Sequence, residues 1–431
     1  MKNIVILGAG FGGLRVARVL AKKLTKAGLN DKYRLILVDR NHYHTFTPLL
    51  YEAATTSKEI ADMVELRTIT TFQIKQILSG LKVDFINAEV EKIDIITGKI
   101  NLKSNKGQEV LAFDHLVIAL GAEVNTFNIK GVTEHAFYLK TFWDAMRLRD
   151  KIIENVDDGK KNLKIIIGGG GSTGVELAAE IQGWICELKE EYPKVRECEA
   201  QVSIVEGAGS ILSSLHQKII KRVGERLAHL GVNTITNEFI SEVDADKIYL
   251  KSERILPCDI FIWAGGIKAP AILNQAELQK SKNNALLVQN KMQCLSAAPD
   301  LKLGSAIYGL GDSVCFINPK NGKPIPCVAR PAIIQGGIIA HNIFEDIMVR
   351  EGLSVKAYHK TFVPREYPYI VPAGGKWAAA KIGPFIFSGI LGWVLKGLVE
   401  LNYFLSILPV WYAFKIWFKG FYIFIKNDRL G

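Results

Sequence analysis

Two stretches far apart in the chain carry the same pattern of apolar and polar positions. Residues 3–13, NIVILGAGFGG, run a short apolar strand into a glycine turn, and residues 163–174, LKIIIGGGGSTG, repeat the design. Apolar positions at helical spacing follow each, over Leu14–Leu24 and Val175–Leu188. A second apolar strand then ends in an acid, RLILVDR at 34–40 and QVSIVEG at 201–207. Strand, glycine turn, helix and strand make the βαβ unit that holds a dinucleotide, and finding it twice predicts an α/β chain with two Rossmann-like domains. HLVIALGAE at 115–123 and DIFIWAGGI at 259–267 read as matching later strands, and AIYGLGDSV at 306–314 as a strand that stops at Gly-Asp. The charge-rich stretch 186–199, broken by Pro193, reads as a solvated helix end and loop.

In the first turn, Gly8 permits the tight bend, Gly10 lets backbone amides reach a pyrophosphate, and Gly13 lets helix and strand pack closely. The following helix N-terminus adds free N–H donors and partial positive charge. Asp39, 26 residues past Gly13, is placed to accept both hydroxyls of an adenosine ribose. Gly169, Gly171 and Gly174 repeat the arrangement, with Glu206 as the strand-terminal acid 32 residues on. An acid there repels a 2′-phosphate, which favours NADH over NADPH. Two such sites imply two cofactors, one delivering hydride and one, a tightly held flavin, receiving it. Glu176, read as lying in the first turn of the second helix, is either a dipole-favoured helix stabiliser or a group acting on the nicotinamide or on a proton relay. Asp312, at a strand end, is placed to bind a polyol chain such as ribityl, or else simply shapes a turn.

Composition narrows the choice. Apolar residues are 48% and charged ones 23%, which excludes disorder and low-complexity folds. The six cysteines, at 186, 198, 258, 294, 315 and 327, include no C-x-x-C, so neither a disulfide framework nor a common zinc spacing is expected. His42 and His44 would share a strand face without a third ligand nearby, so no metal site is expected either. Cys327, beyond Pro326, reads as a packed small residue, with a redox role as the alternative. The N-terminus turns into glycines too soon for a signal peptide. The net charge of +11 is scattered, with no nucleic-acid-binding pattern.

The tail points elsewhere. Residues 384–431 hold 13 aromatics in 48 positions, about 27% against 9% for the chain. The uncharged runs Ile382–Leu395 and Leu401–Phe414 have 14 residues each, too short to cross roughly 30 Å of hydrocarbon. Lys396, Lys415, Lys419, Lys426 and Arg429 alternate with Trp393, Trp411, Trp417 and Phe421, a mix suited to lying in a membrane interface; a dimerisation or core-covering helix pair is the alternative.

FTPLLYEAA at 46–54, GGGGSTGVELAAEI at 168–181, WAGGI at 263–267, GLGD at 309–312 and GGKWAAAKIG at 374–383 together resemble the type II NADH:quinone oxidoreductases, non-pumping members of the two-dinucleotide-binding flavoprotein superfamily. Disulfide reductases of that superfamily carry a C-x4-C pair where this chain has FTPLLYEAA. The resemblance implies a glutathione-reductase-like fold with FAD held by 1–125 and 276–365, NADH by 126–275, and amphipathic membrane-anchoring helices in 366–431 that also form the quinone side. It implies FAD contacts at Gly8, Ala9, Gly10, Phe11, Gly12, Gly13, Asp39, Arg40, Val90, Ala119, Gly121, Asp312, Ala329 and Lys376. NADH contacts are implied at Gly169, Gly171, Ser172, Thr173, Gly174, Glu206, Ala264 and Gly265, and catalytic roles for Glu176 and Lys376. Many members have A-Q-x-A-x-Q-Q-G on the quinone side; here Arg330 and Ile334 replace two glutamines and Gln335 remains. The partners implied are NADH, a membrane quinone and the bilayer surface on its cytoplasmic face, with a homodimer left open. The rival readings are an NADH oxidase or carrier reductase with a soluble acceptor, and an NAD(H)-sensing flavoprotein with little turnover.

Overall fold

The computed structural model describes residues 1–160, 162–191, 200–298 and 306–427. In chain order, β1 (Lys2–Leu7) leads through α1 (Phe11–Lys26) to β2 (Tyr33–Asp39), with the short α2 (Leu50–Ala53) beyond it. β3 (Asp84–Asn87), β4 (His115–Ile118) and β5 (Ala136–Phe137) precede β6 (Lys164–Gly168), which opens the second unit of the same kind. There α3 (Ser172–Glu191), β7 (Gln201–Glu206), α4 (Gln217–Leu230), β8 (Asn233–Thr236) and β9 (Ile260–Trp263) follow in turn. After β10 (Ile307–Gly309) come α5 (Ala329–Arg350), the antiparallel strands β11 (Tyr369–Pro372) and β12 (Ala378–Ile382), and the helices α6 (Ile390–Ile407) and α7 (Val410–Asn427).

These elements form two compact units. The first comprises Met1–His44, Gln73–Val124 and Ile267–Arg365, the second Thr45–Phe72, Asn125–Gly266 and Glu366–Gly431. Each is built on a five-stranded parallel sheet, ordered β10-β4-β1-β2-β3 in the first and β5-β9-β6-β7-β8 in the second. The duplication read from the glycine turns therefore extends to four strands, β4-β1-β2-β3 and β9-β6-β7-β8, while the fifth, β10 or β5, follows its unit in the first sheet and precedes it in the second. Ile4, Val5, Ile6 and Leu7 in β1, and Ile165, Ile166 and Ile167 in β6, are buried, as a sheet covered on both faces requires.

Within the first unit α1 packs along α5, and Gly336 makes the close approach possible: a Cβ there would fall 2.6 Å from the carbonyl oxygen of Gly12. Within the second, α2 packs on α3, and Phe46 stacks on Tyr403 at 5.2 Å between ring centres and meets Phe404 edge-on at 5.0 Å. Thr45–Phe72 thus belongs to the core of the second unit, although the chain on either side of it belongs to the first.

The tail departs from the two 14-residue runs. Ile382–Leu395 holds the end of β12, a strand Phe385–Phe387 and the start of α6; Leu401–Phe414 holds the end of α6, the Pro409 break and the start of α7. Both helices have 18 residues: α6 runs on through Lys396 and Glu400, which are paired inside the protein, and α7 through Lys415 and Lys419. Among the described residues, α6 alone is long and apolar enough to cross a membrane by length and composition. Its buried face packs against α7, while Leu391, Val394, Leu398 and Leu405 stay exposed. On α7, Trp411, Phe414, Phe418, Tyr422 and Ile425 form a second exposed stripe at helical spacing, beside exposed Lys415 and Lys426.

Candidate dinucleotide and proton-handling sites

The two glycine turns match atom for atom. Gly8 has φ +99° and Gly169 φ +113°, backbone that side chains rarely adopt. A Cβ on Gly8 would stand 2.2 Å from Ala119 O, and one on Gly169 2.5 Å from Ala264 O. So Ala119 is set against the first turn and Ala264 and Gly265 against the second, each just past its sheet's neighbouring strand. Gly13 and Gly174 bring the helices down on the turns, with 1.9 and 2.0 Å between a would-be Cβ and the oxygens of Gly8 and Gly169. Gly10 and Gly171 face open space, where a pyrophosphate can approach.

The strand-end acids also correspond. Asp39 Oδ2 accepts from the Ala9 amide at 2.6 Å, and Glu206 Oε2 accepts from the Gly170 amide at 2.6 Å. Each carboxylate closes its own glycine loop. Burial raises the Asp39 pKa, partly offset by the amide hydrogen bonds from Ala9 and Asn41. The long spacings to these acids are helix length: α1 has 16 residues and α3 has 20.

In the first unit, Gly311 (φ +66°) turns the chain so that Asp312 follows β10, and the Gly311 amide donates to Gln335 Oε1 at 2.9 Å. Gln335 is 1% exposed and braces this turn, while its Nε2 has no hydrogen-bond partner among the described residues. Ser313 Oγ donates to Gly121 O at 3.0 Å, joining the Asp312 turn to the end of β4. Ala329 begins α5, with Pro331 in the first turn, where no amide donor is needed. Arg330 is exposed and Ile334 half-buried. Arg40 is exposed beside Asp39, Phe11 is half-buried, and Val90 lies where the register of its strand shifts. Neither α1 nor α5 has a side chain capping its first amides. An open glycine turn, uncapped helix starts, a strand-end acid and an unspent buried donor fit FAD.

His44, weighed in sequence only as a metal ligand, has a different place in the fold. It is 2% exposed, its Nδ1 lies 3.1 Å from Ala9 O, and Phe11 meets its ring edge-on at 5.0 Å. A carbonyl only accepts, so Nδ1 carries the proton and the ring braces the glycine turn. Burial pushes its pKa down to about 4, and burial with the nearby Arg350 does the same for His115. The unfolded chain therefore binds protons that the folded one excludes between pH 6.5 and 4. Stability is full above this window and falls through it, by roughly 3 kcal/mol per ring. His44→Asn, whose amide can make the same hydrogen bond without titrating, is expected to reduce that acid loss in urea unfolding at pH 7 and 4.5. Equal losses in both proteins would contradict this.

In the second unit, Glu176 is the fifth residue of α3, beyond the first turn, so helix-dipole stabilisation does not account for it. It keeps some exposed surface, yet burial pushes its pKa up to about 8 against a smaller opposing pull from the Lys396 ammonium. One turn on, Glu180 accepts from the Gly375 amide at 3.4 Å, and Arg226 donates to Ala373 O and Gly374 O at 3.1 and 3.0 Å. The turn that carries Lys376 is thereby bolted to the helix of Glu176. Ser172 and Thr173, the first residues of α3, are exposed beside the open Gly171. Cys327 is exposed, not packed as its sequence setting suggested. Cys186, Cys198, Pro193 and Arg429 fall outside what the structure describes of side chains.

Comparison with known proteins places this geometry. The model of the pyridine nucleotide-disulphide oxidoreductase family matches residues 2–336. A type II NADH:quinone oxidoreductase of Haemophilus influenzae is 30% identical over 376 residues, 80% of each chain. One from Staphylococcus aureus is 28% identical, over 79% of this chain and 82% of its own. The solved structure of NDH2 from Plasmodium falciparum in complex with NADH superposes with a TM-score of 0.80, covering 99% of this chain and 98% of its own at 21% identity. The chain belongs to the pyridine nucleotide-disulphide oxidoreductase family, in its type II NADH:quinone oxidoreductase branch.

Proposed function

We propose that this chain oxidises NADH and passes the electrons through FAD to a membrane quinone: NADH, one proton and quinone give NAD⁺ and quinol. The observation that carries the reading is the paired glycine turn, each closed by its own strand-end acid, within a chain that closely matches quinone-reducing relatives. Residues 1–125 and 276–365 hold FAD, 126–275 hold NADH, and 366–431 rest on the bilayer. Bound FAD supplies the capacity to take a hydride and release its two electrons to a quinone.

The chain's own residues bind, orient and handle the proton. Gly8–Gly13 and Asp39 take the FAD pyrophosphate and ribose, with Arg40, Val90, Ala119, Gly121, Asp312, Ala329 and Lys376 along the remainder. Gly169–Gly174, Glu206, Ala264 and Gly265 take NADH, and the Glu206 carboxylate discriminates against a 2′-phosphate. Glu176, protonated at neutral pH, holds a proton for the quinone. Arg330, Ile334 and Gln335 belong to the quinone side, where the buried Gln335 acts by bracing the Asp312 turn. The exposed apolar stripes of α6 and α7, flanked by lysines, favour a lipid-borne acceptor over a soluble one.

The test is spectroscopic. Anaerobic NADH should bleach the flavin of the purified protein and menadione should restore its colour, with the protein sedimenting with anionic liposomes. Trp411→Glu with Phe418→Glu, at side chains 69% and 58% exposed, is expected to abolish sedimentation and leave bleaching intact. Bleaching with no recovery by any quinone would refute the reading.

A further inference from the structure

The second unit buries a group of charges that hydride transfer does not use. Lys396, midway along α6, places Nζ 2.7 Å from Glu52 Oε1 on α2 and 2.9 Å from Glu400 Oε1 one turn further along α6. The three side chains are 11%, 2% and 12% exposed. Rings of Tyr51 and Phe424 flank the ammonium at 5.6 and 5.7 Å. A cavity of about 20 Å³, enough for one water, lies among Glu52, Lys396, Glu400, Trp393 and Trp417. α2, which supplies Glu52, also packs on α3, the helix of Glu176. A charge fixed among aromatic walls is weakly screened, so its field reaches beyond its ion-pair partners.

We infer that Lys396, clamped by Glu52 and Glu400, is a positioning residue that acts through space on the carboxyl of Glu176 and ties α6 to the proton step of the reaction. The inference rests on the role proposed above for Glu176. A quinone needs two electrons and two protons, and the hydride brings both electrons but one proton. The second has to reach the quinone through the protein, and a carboxyl serves only if it can both lose that proton and regain it in each cycle. Burial alone would lock the proton on Glu176. Lys396 of α6 acts on Glu176 directly, and Tyr51 of α2 feels the charges of Glu176 and of Glu52, Glu180 and Glu400 together. Arg226 of α4 acts on Glu180, and Tyr51 brings a hydroxyl without a hydrogen-bond partner among the described residues. Of these, Lys396 supplies the positive charge that opposes the effect of burial on Glu176. Burial works against the charged form of Lys396 too, but Glu400 and Glu52 more than reverse this, so it stays an ammonium throughout.

The experiment compares pH profiles of NADH oxidation by menadione, which takes up protons, and by ferricyanide, which does not. The proteins are the wild-type holoenzyme, Lys396→Arg, and Lys396→Gln, which removes the cation and leaves both carboxylates. In Lys396→Gln Glu176 holds its proton to higher pH, so the alkaline fall of menadione turnover should move up by about one pH unit. Lys396→Arg should keep the wild-type profile, and the ferricyanide profile should not move. Glu400→Gln, which keeps the cation and removes one opposing carboxylate, should move the fall down, and serves if Lys396→Gln does not fold. An unmoved alkaline limb in whichever of these still reduces ferricyanide overturns the inference, as does an equal shift with both acceptors. A wild-type enzyme that reduces ferricyanide but no quinone at any pH instead overturns the proposed function, and the inference with it.

Discussion

Gly174→Ala is expected to yield a protein that stays yellow and loses about 99% of its kcat/KM for NADH. The new Cβ would lie 2.0 Å from Gly169 O and 3.2 Å from Gly169 C, and both are backbone atoms that cannot rotate away. Gly169 cannot retreat, since it sits at φ +113° with the Ala264 carbonyl close behind it. The start of α3 must therefore lift from its turn, carrying the amides meant for the pyrophosphate with it. A displacement of about 1 Å in positioning groups lowers kcat/KM by roughly 100-fold. The flavin stays because its turn is a separate one. Gly13→Ala makes the same collision 1.9 Å from Gly8 O, and should give a colourless protein. Absorbance at the flavin band and NADH turnover of the two variants decide the assignment. Loss of flavin from Gly174→Ala, with retention in Gly13→Ala, would mean the two nucleotides had been assigned to the wrong turns.

Both glycine turns were legible because their chemistry is local. A glycine that must adopt positive φ, and another that must let a helix down onto a carbonyl, are demands met within a dozen residues. Asp39 and Glu206 were legible for a related reason: each ends the strand next to its turn, whatever the length of the intervening helix. His44 was not, because its partner Ala9 is 35 positions away and nothing in YHT marks a ring turned inward. Gln335 was marked by its motif, but the hydrogen bond it accepts from the Gly311 amide, across 24 positions, was not legible. The extent of the tail helices was misread for the same reason. A lysine and a glutamate in an apolar segment look like interruptions until Glu52, 344 positions earlier in the chain, is seen to meet them. Local backbone demands leave signatures in sequence, and pairings at long range do not.

That long-range pairing has a large expected effect on stability. Lys396→Met should cost roughly 3–5 kcal/mol, because it leaves Glu52 and Glu400 buried without their counter-ion. The loss does not measure the strength of the ion pairs. Removing three charges from water is itself costly, so Glu52→Gln/Lys396→Met/Glu400→Gln should recover most of the stability lost by the single variant. Urea unfolding midpoints of the two variants at pH 7 make the comparison. A triple variant as unstable as the single one would show that the lysine stem, packed between Tyr51 and Phe424, matters more than its charge. If the triple variant is instead nearly as stable as the wild type, the fold does not need this group of charges. A cation and two carboxylates around a water-sized cavity, with α2 packed on the helix of Glu176, then leave the inferred action on that carboxyl as the role to test.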